Sequence, residues 1–355
     1  AGWWILDGGF MRSTSTIHHP GWVGVVAALG QDGLARVPTN DDQGEGSTMT
    51  QQVCLVGCGR WGSLICRDLV TLGVEVTVVA PTEGPRRNAA EHGAHRVVDG
   101  LADVGEVDGY VVAVPTDQHF AVVQQLLATN APIFVEKPLT DQLDQARDLI
   151  AEAGDRIFVM DKWRYHPGIL KLAELARSGE LGEIQGIHTT RRQWASPHPD
   201  VDAVWILMPH DLSIALEVLG EVPPVEAALG VADGDWFQSL VAKFAEPGKP
   251  WVVVDVGVGN DGFDRQIQVQ GSNAVGVLSD GWADSIQVLR EVAGSMDPQR
   301  EIVPTPGELP LLAELRAFVE YLAGGPAPKS SGPEALLLIE RIDEARRVAL
   351  ANMRS

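Results

Sequence analysis

Cysteine is scarce: the 355 residues contain three, Cys54, Cys58 and Cys66, crowded into one short segment. An odd number builds no simple disulfide framework, and the spacing has no C-x-x-C pair and matches no zinc pattern. They read as small apolar residues of a reducing, cytoplasmic compartment, and no metal site is expected. Long apolar runs are missing as well; none approaches the ~20 residues that cross a bilayer. Positive charge is in short supply, with 27 Lys and Arg against 48 Asp and Glu and a formal charge of -21. That field repels phosphate backbones and anionic lipid, so neither nucleic acid nor a membrane surface is an expected partner. It leaves room for a small anionic ligand held by local Arg residues and backbone amides.

What is present suits a globular protein: 45% of residues are hydrophobic and 21% charged. The length accommodates two domains of roughly 100–200 residues each. Residues 1–48 stand apart, because they have no sustained period and end in the polar, Gly-rich "NDDQGEGST". Within them "WVGVVAALG" has the look of a signal-peptide core, but no basic segment precedes it. The stretch is expected to be a disordered or non-native extension, with a weakly docked arm as the alternative. The first compact domain is expected to start at Met49.

From there short apolar strands alternate with helices. "QVCLVGCGRWGSLICRDLVTLG" is a strand, a glycine turn and a helix with Leu64, Ile65, Leu69 and Val70 on its apolar face. "VEVTVVA", "HRVVDG", "VDGYVVAVP" and "APIFVEKP" supply further strands, with helical stretches such as "HFAVVQQLLATN" between them. This α/β alternation predicts a doubly wound parallel sheet, a Rossmann domain over residues 49–163. Beyond it the texture changes. One helix, "HPGILKLAELARSG", precedes a series of strand-like runs with few helices among them, and two helices close the chain. That pattern predicts an α+β domain over 164–355 with a mostly antiparallel, open sheet.

Gly57-x-Gly59-x-x-Gly62 lies where the dinucleotide fingerprint needs it, after a strand and before a helix. Gly57 permits the tight turn, Gly59 lets the backbone approach a pyrophosphate, and Gly62 allows close packing of helix on strand. The helix amino end offers N–H groups and a positive dipole to phosphates. Arg60 and Trp61, inside the same turn, are expected beside the cofactor. The second half of the fingerprint is missing. The second strand ends in Ala80-Pro81-Thr82, where an Asp or Glu would bind the ribose 2′-hydroxyl of NAD. Thr82 with Arg86 or Arg87 can hold a 2′-phosphate; alternatively both Arg start the next helix as solvated residues. The absent acid favours NADP over NAD.

"APIFVEKP" raises a different question. The apolar run Ile133-Phe134-Val135 ends in two opposite charges and a proline, Glu136-Lys137-Pro138, which core stability does not require. Ligands of open α/β sheets lie outside the carboxyl ends of the strands. A lysine leaving a strand there points its ammonium into that crevice, where it can donate to a substrate hydroxyl and stabilise a developing oxyanion. Pro138 restricts the backbone, and a cis bond before it would aim Lys137 inward. A plain surface ion pair of Glu136 with Lys137 is the competing reading. In "DAVWILMPHDLSIALEVLG", apolar residues at helical spacing predict an amphipathic helix interrupted by His210 and Asp211. An imidazole with an unperturbed pKa of about 6.5 suits proton exchange near neutrality. A lone helical His also serves as a purely structural residue.

In this order along residues 51–350, "VGCGRWG", "VAVPTDQHF", "FVEKPLT", "RYHPGILKLAELARSGELGEI", "PHDLSIALEVLGE" and "ELRAFVEYLAGG" resemble the glucose–fructose oxidoreductase / inositol dehydrogenase / MocA (Gfo/Idh/MocA) family. The resemblance implies an NAD(P)-dependent oxidoreductase that moves a hydride to or from a hydroxyl or ketone carbon of a sugar, sugar nucleotide or polyol. Lys137 and His210 become its catalytic pair, Lys137 polarising the oxygen and His210 exchanging the proton. Pro115, Thr116 and His119 border the nicotinamide side, and Glu136 with Lys137 belongs to the cofactor site.

Arg164 and Tyr165, then Arg191, Arg192 and Trp194, and finally Trp205 are candidate substrate contacts. Aromatic faces stack on sugar rings, and Arg suits a phosphate or carboxylate. Each taken alone is equally well explained by core or sheet packing. The variants "DKWRYHPGI" and "VWILMPHDLSI" resemble members of bacterial surface-glycan or sugar-nucleotide pathways, and pairing through the open sheet face implies a homo-oligomer, dimer or tetramer. One departure matters: many family enzymes carry an Asp four residues before the His, where this chain has Ile206, and Asp202 lies one turn further back. Two alternatives therefore stay open. One is a non-catalytic NAD(P)-binding regulator on the same fold, the other a glycosidase that uses tightly held NAD in a transient oxidation and re-reduction.

Overall fold

The computed structural model describes residues 4–6, 9–11, 50–196 and 198–354. Trp4–Leu6 (β1) and Gly9–Met11 (β2) pair antiparallel. The rest of the expectation for 1–48 lies outside the described residues. The unit holding this ribbon, Ala1–Thr50, is distinct from the compact unit Gln51–Ser355.

In the larger unit the first sheet is built from β3 (Gln52–Val56), β4 (Glu75–Val79), β5 (Arg96–Val98), β6 (Gly109–Val112), β7 (Ile133–Glu136) and β8 (Ile157–Met160). Its order is β5-β4-β3-β6-β7-β8, and every neighbouring pair is parallel. The connections run through α1 (Arg60–Thr71), α2 (Glu83–Glu91), α3 (Thr116–Leu126) and α4 (Leu143–Ala153). The central strands read as unbroken Val-rich runs because both faces are buried, as expected of a parallel sheet. Strand order reverses between β3 and β6, which opens a crevice at their carboxyl ends.

The second sheet follows α5 (Pro167–Ser178), β9 (Ile184–Arg192) and α6 (Ala203–Leu219). Its other strands are β10 (Val225–Asp233), β11 (Trp236–Phe244), β12 (Trp251–Gly257), β13 (Asp264–Gly271), β14 (Val275–Leu278), β15 (Ser285–Arg290) and β16 (Gln299–Pro304). The order is β10-β11-β12-β9-β13-β14-β15-β16, antiparallel except for β12 with β9. Alternation along β11 sends Phe237, Leu240, Ala242 and Phe244 under the helices, while Trp236 and Val241 face out with Leu229 and Val231 of β10. The last helices, α7 (Pro310–Leu322) and α8 (Gly332–Arg354), return to the first sheet. Phe318 of α7 stacks on Phe134 of β7 with ring centroids 4.9 Å apart, and Ser331 bridges to Phe158 of β8.

α6 corrects the amphipathic expectation. Every residue from Ala203 to Leu216 is buried, because α6 packs against β9, β11, β12, α5 and α8 together. Its sequence is apolar around the whole circumference, the signature of a helix enclosed on all sides. Asp202 starts it: the carboxylate accepts from Val204 N at 3.0 Å, Trp205 N at 3.2 Å and Phe237 N at 2.9 Å, and pairs with Arg346. Asp202 is thus a helix cap and strut. Asp202→Ala removes the cap and the carboxylate partner of Arg346, which keeps the Asp235 carbonyl at 2.8 Å, a loss of about 2–4 kcal/mol. Urea unfolding measures it, and a loss below about 1 kcal/mol would mean that the pair contributes little.

Candidate active site

Gly57 adopts φ +92°, a left-handed conformation that L side chains avoid. A Cβ on Gly57 would stand 2.7 Å from the Ala113 carbonyl oxygen, and one on Gly62 only 2.4 Å from the Gly57 oxygen, so α1 rests directly on the turn. Gly59 differs, with no atom within 4 Å of the place its Cβ would take. It starts α1 without a side-chain cap, and the first turn of α1 holds no acid. An uncapped helix amino end facing open space fits a pyrophosphate, so the residues present suit a dinucleotide. Asn88 of α2 braces the turn from behind, donating from Nδ2 to the Cys58 carbonyl at 2.9 Å. Arg60, Thr82 and Arg87 are exposed. Arg86 folds back on the end of β4, with Nη1 donating to the Ala80 carbonyl at 3.0 Å and to Asp99 Oδ1 at 2.5 Å.

The turn is tied to the end of β7. Trp61 donates its indole N–H to Glu136 Oε1, and Lys162 Nζ lies 4.3 Å over the Trp61 ring. Burial raises the Glu136 carboxyl, while the Lys137 charge and the Trp61 donor pull it back. The Lys137–Pro138 bond is cis. Lys137 Nζ donates to the Ile206 carbonyl of α6 at 3.2 Å. Pro209, inside α6, cannot donate to the Trp205 carbonyl one turn back, and His210, 2% exposed, follows it directly. Residues four apart stack on one helix face, so the lysine reaches the turn that carries the histidine. At the position of the missing acid, the Ile206 side chain is packed in the core and its main-chain carbonyl takes the ammonium.

An aromatic wall backs His210. The Trp163 ring lies 6.4 Å from the His210 ring, stacks on His166 at 5.1 Å, and carries the Arg191 guanidinium 4.3 Å away on its face. Arg191 is fully buried and pairs with Asp211 at 2.7 Å. Burial pushes the Asp211 carboxyl up against the pull of Arg191. Neither Trp163 nor the pairing of Arg191 was evident from the sequence; the one available signal was an aromatic just past the end of β8. His119 is also buried, with Nδ1 2.8 Å from the Pro138 carbonyl and Nε2 3.0 Å from that of Val114. Burial lowers its pKa while the two carbonyls oppose the shift. Beside it, Thr116 follows Pro115 at the start of α3 and donates its amide to Asp200 Oδ2 at 2.8 Å. Asp200 comes from the loop before α6 and was not singled out in the sequence.

Three proposed substrate contacts are engaged inside the protein. Arg164 pairs with Glu217 and Glu334, each at 3.2 Å. The Tyr165 hydroxyl accepts from Lys329 N at 2.8 Å, and Trp205 is packed in the core 5.5 Å from the Arg346 guanidinium. A ligand would have to displace these partners to reach them. Arg192 pairs with Asp255 at 2.8 Å, and Trp194 is 69% exposed. Among the described residues no group of three or more His, Cys, Asp or Glu is placed to hold a metal ion, and no helix is long and apolar enough to cross a membrane.

Known proteins share this fold. Residues 51–159 match the Gfo/Idh/MocA model, described as an oxidoreductase family with an NAD-binding Rossmann fold. An inositol 2-dehydrogenase of Rhizobium meliloti (strain 1021) is 23% identical over 84% of this chain and 97% of its own length. The UDP-N-acetylglucosamine 3-dehydrogenase of Acidithiobacillus ferrooxidans is 32% identical over 38% of this chain and 42% of its own length. A solved structure of that enzyme superposes with a TM-score of 0.75 at 21% identity, covering 86% of this chain and 100% of the enzyme. A levoglucosan dehydrogenase in complex with NADH and levoglucosan gives a TM-score of 0.76 at 15% identity, over 85% and 98% of the two chains. With the glycine turn, the Glu-Lys-Pro strand end and both sheets in place, residues 51–159 match the NAD-binding Rossmann domain of the Gfo/Idh/MocA oxidoreductase family, and the chain as a whole is similar to members of it.

Proposed function

We propose that this chain is an NAD(P)-dependent oxidoreductase acting on a CH–OH group of a sugar, sugar nucleotide or polyol, with Lys137 and His210 as its catalytic pair. The observation that carries the reading is the reach of Lys137 from β7 to the turn of α6 that bears His210. The bound nicotinamide supplies hydride chemistry. Gly57, Gly59 and Gly62 with the amino end of α1 hold the pyrophosphate. Trp61 and Glu136 fix that turn against the strand end. Lys137 donates to the substrate oxygen and stabilises negative charge on it. His210 takes or returns the hydroxyl proton. Relatives named for inositol and UDP-N-acetylglucosamine support the polyol and sugar-nucleotide class, and the second supports a place in glycan precursor metabolism. In this reading 49–163 is the dinucleotide domain and 164–355 the substrate and assembly domain, acting in the cytoplasm.

The second strand lacks its acid, and Arg86 stands at its end, which supports NADP; Asp99 beside Arg86 partly offsets that charge. The test is a screen of myo-inositol, other polyols, sugars and UDP-sugars with both cofactors, following absorbance of the reduced form. Turnover is expected, faster with NADP, and Lys137→Ala and His210→Ala lower kcat by about 10²–10⁴-fold. Full activity in both variants removes the site assignment, and clearly tighter NAD removes the cofactor preference. Cofactor binding without any turnover favours the regulator that Ile206 keeps open.

Leu229, Val231, Trp236 and Val241 leave an apolar strip on the uncovered face of the second sheet, which suits a homo-oligomer. Light scattering is expected to return a dimer or tetramer, and a monomer at all concentrations contradicts it.

A further inference from the structure

Two buried carboxyl groups have no part in the scheme above. The register of β7 and β8 pairs Glu136 with Met160, so Lys137 and Asp161 follow side by side at the carboxyl ends of neighbouring strands. Both line one small cavity, together with Pro138 and with Pro209 of α6. Asp161 is 2% exposed; its Oδ1 is buried and receives no hydrogen bond, while Ser330 bonds the carboxyl group. Burial pushes its pKa up to about 7, against the pull of Arg164 and Lys137. Behind it, Glu314 of α7 has both carboxyl oxygens buried without a hydrogen bond and is held well above the usual carboxylate range by burial and by Glu136.

An ionised carboxylate in such a place costs several kcal/mol, and an apolar side chain of similar volume would serve packing better. The acids are therefore placed for something other than stability. Lys137 is the ammonium they share: Glu136 precedes it on β7, Asp161 lies beside it from β8, and Glu314 faces the group from α7. Lys162 and Arg164 on the turn after β8 supply the remaining positive charge. His210 approaches the same turn of α6 with no acid four residues ahead of it.

We propose that Asp161 is a positioning residue for Lys137, the counter-charge from β8 that keeps the lysine an ammonium at the Ile206 carbonyl. Glu314 is raised by burial and by the Glu136 and Asp161 charges, so it opposes a further negative charge behind Asp161. As pH rises through neutrality Asp161 becomes charged and places a negative charge beside the Lys137 ammonium. This rests on the catalytic role given to Lys137, but its test needs no turnover.

The full chain, labelled with 13C at lysine Cε, is titrated by NMR, with the Lys137 signal assigned from its loss in Lys137→Arg. Asp161→Asn is expected to lower the Lys137 midpoint by about one pH unit, a tenfold change in the amine fraction. Coupling of this kind is reciprocal. In 13C-aspartate-labelled protein, Lys137→Gln is therefore expected to raise the Asp161 midpoint by a similar amount, which keeps the test open if Asp161→Asn does not fold. Unmoved midpoints in a folded variant overturn the inference. Where a substrate is found, Asp161→Asn also loses the limb near neutrality in the pH profile of kcat, which a structural role would leave in place. Activity abolished by Lys137→Ala but insensitive to Asp161 would leave the proposed function standing without this inference.

Discussion

One contact joins the two halves of the proposed site: the Lys137 ammonium on the Ile206 carbonyl, 3.2 Å across from β7 to α6. A charged amine enclosed by protein needs a partner, because burial without one costs far more than a core contact returns. A carbonyl oxygen carries two lone pairs, so that of Ile206 can accept the ammonium in addition to its helical bond. The parallel sheet is thereby linked to the helix that underlies the second sheet, and His210 falls within one helical turn of the link.

Around that contact, side chains of several elements remove freedom from the groups that would act. Trp61 and Glu136 join the glycine turn to the strand end, and Asn88 holds the turn from the other side. Trp163, held between Arg191 and His166, forms the wall behind His210. Asp200 reaches back from the loop before α6 to the first amide of α3. Positioning a reactive group in this way lowers the entropy that a reaction must otherwise lose at its transition state. In the proposed reading oxygen polarisation and proton exchange come from these side chains and the redox chemistry from a cofactor.

The features legible in the sequence are those with local causes. Gly57 and Gly62 are required by a turn whose clashes involve residues a few positions away or the adjoining strand, and the strand-turn-helix rhythm announces itself by periodicity. The Glu-Lys-Pro ending was visible because charge at the end of an apolar strand has no packing reason. What stayed hidden depends on pairings across long stretches of chain. Nothing near Arg164 or Tyr165 reveals Glu217, Glu334 or Lys329. The helical spacing of its apolar residues predicts an amphipathic α6, whereas its burial on every side follows from which elements close over it. Residues such as Asp161 and Glu314 look like ordinary surface acids until the fold encloses them.

The central claim is that Lys137 and His210 serve one reacting carbon beside a nicotinamide. A crystal structure of the chain grown with the dinucleotide and a polyol or sugar addresses it most directly. The account predicts the pyrophosphate over Gly59 and a ligand oxygen within hydrogen-bond distance, about 2.7–3.2 Å, of both Lys137 Nζ and the His210 ring. A nicotinamide bound elsewhere, or a ligand that His210 cannot touch because α6 and Trp163 keep it enclosed, would contradict it.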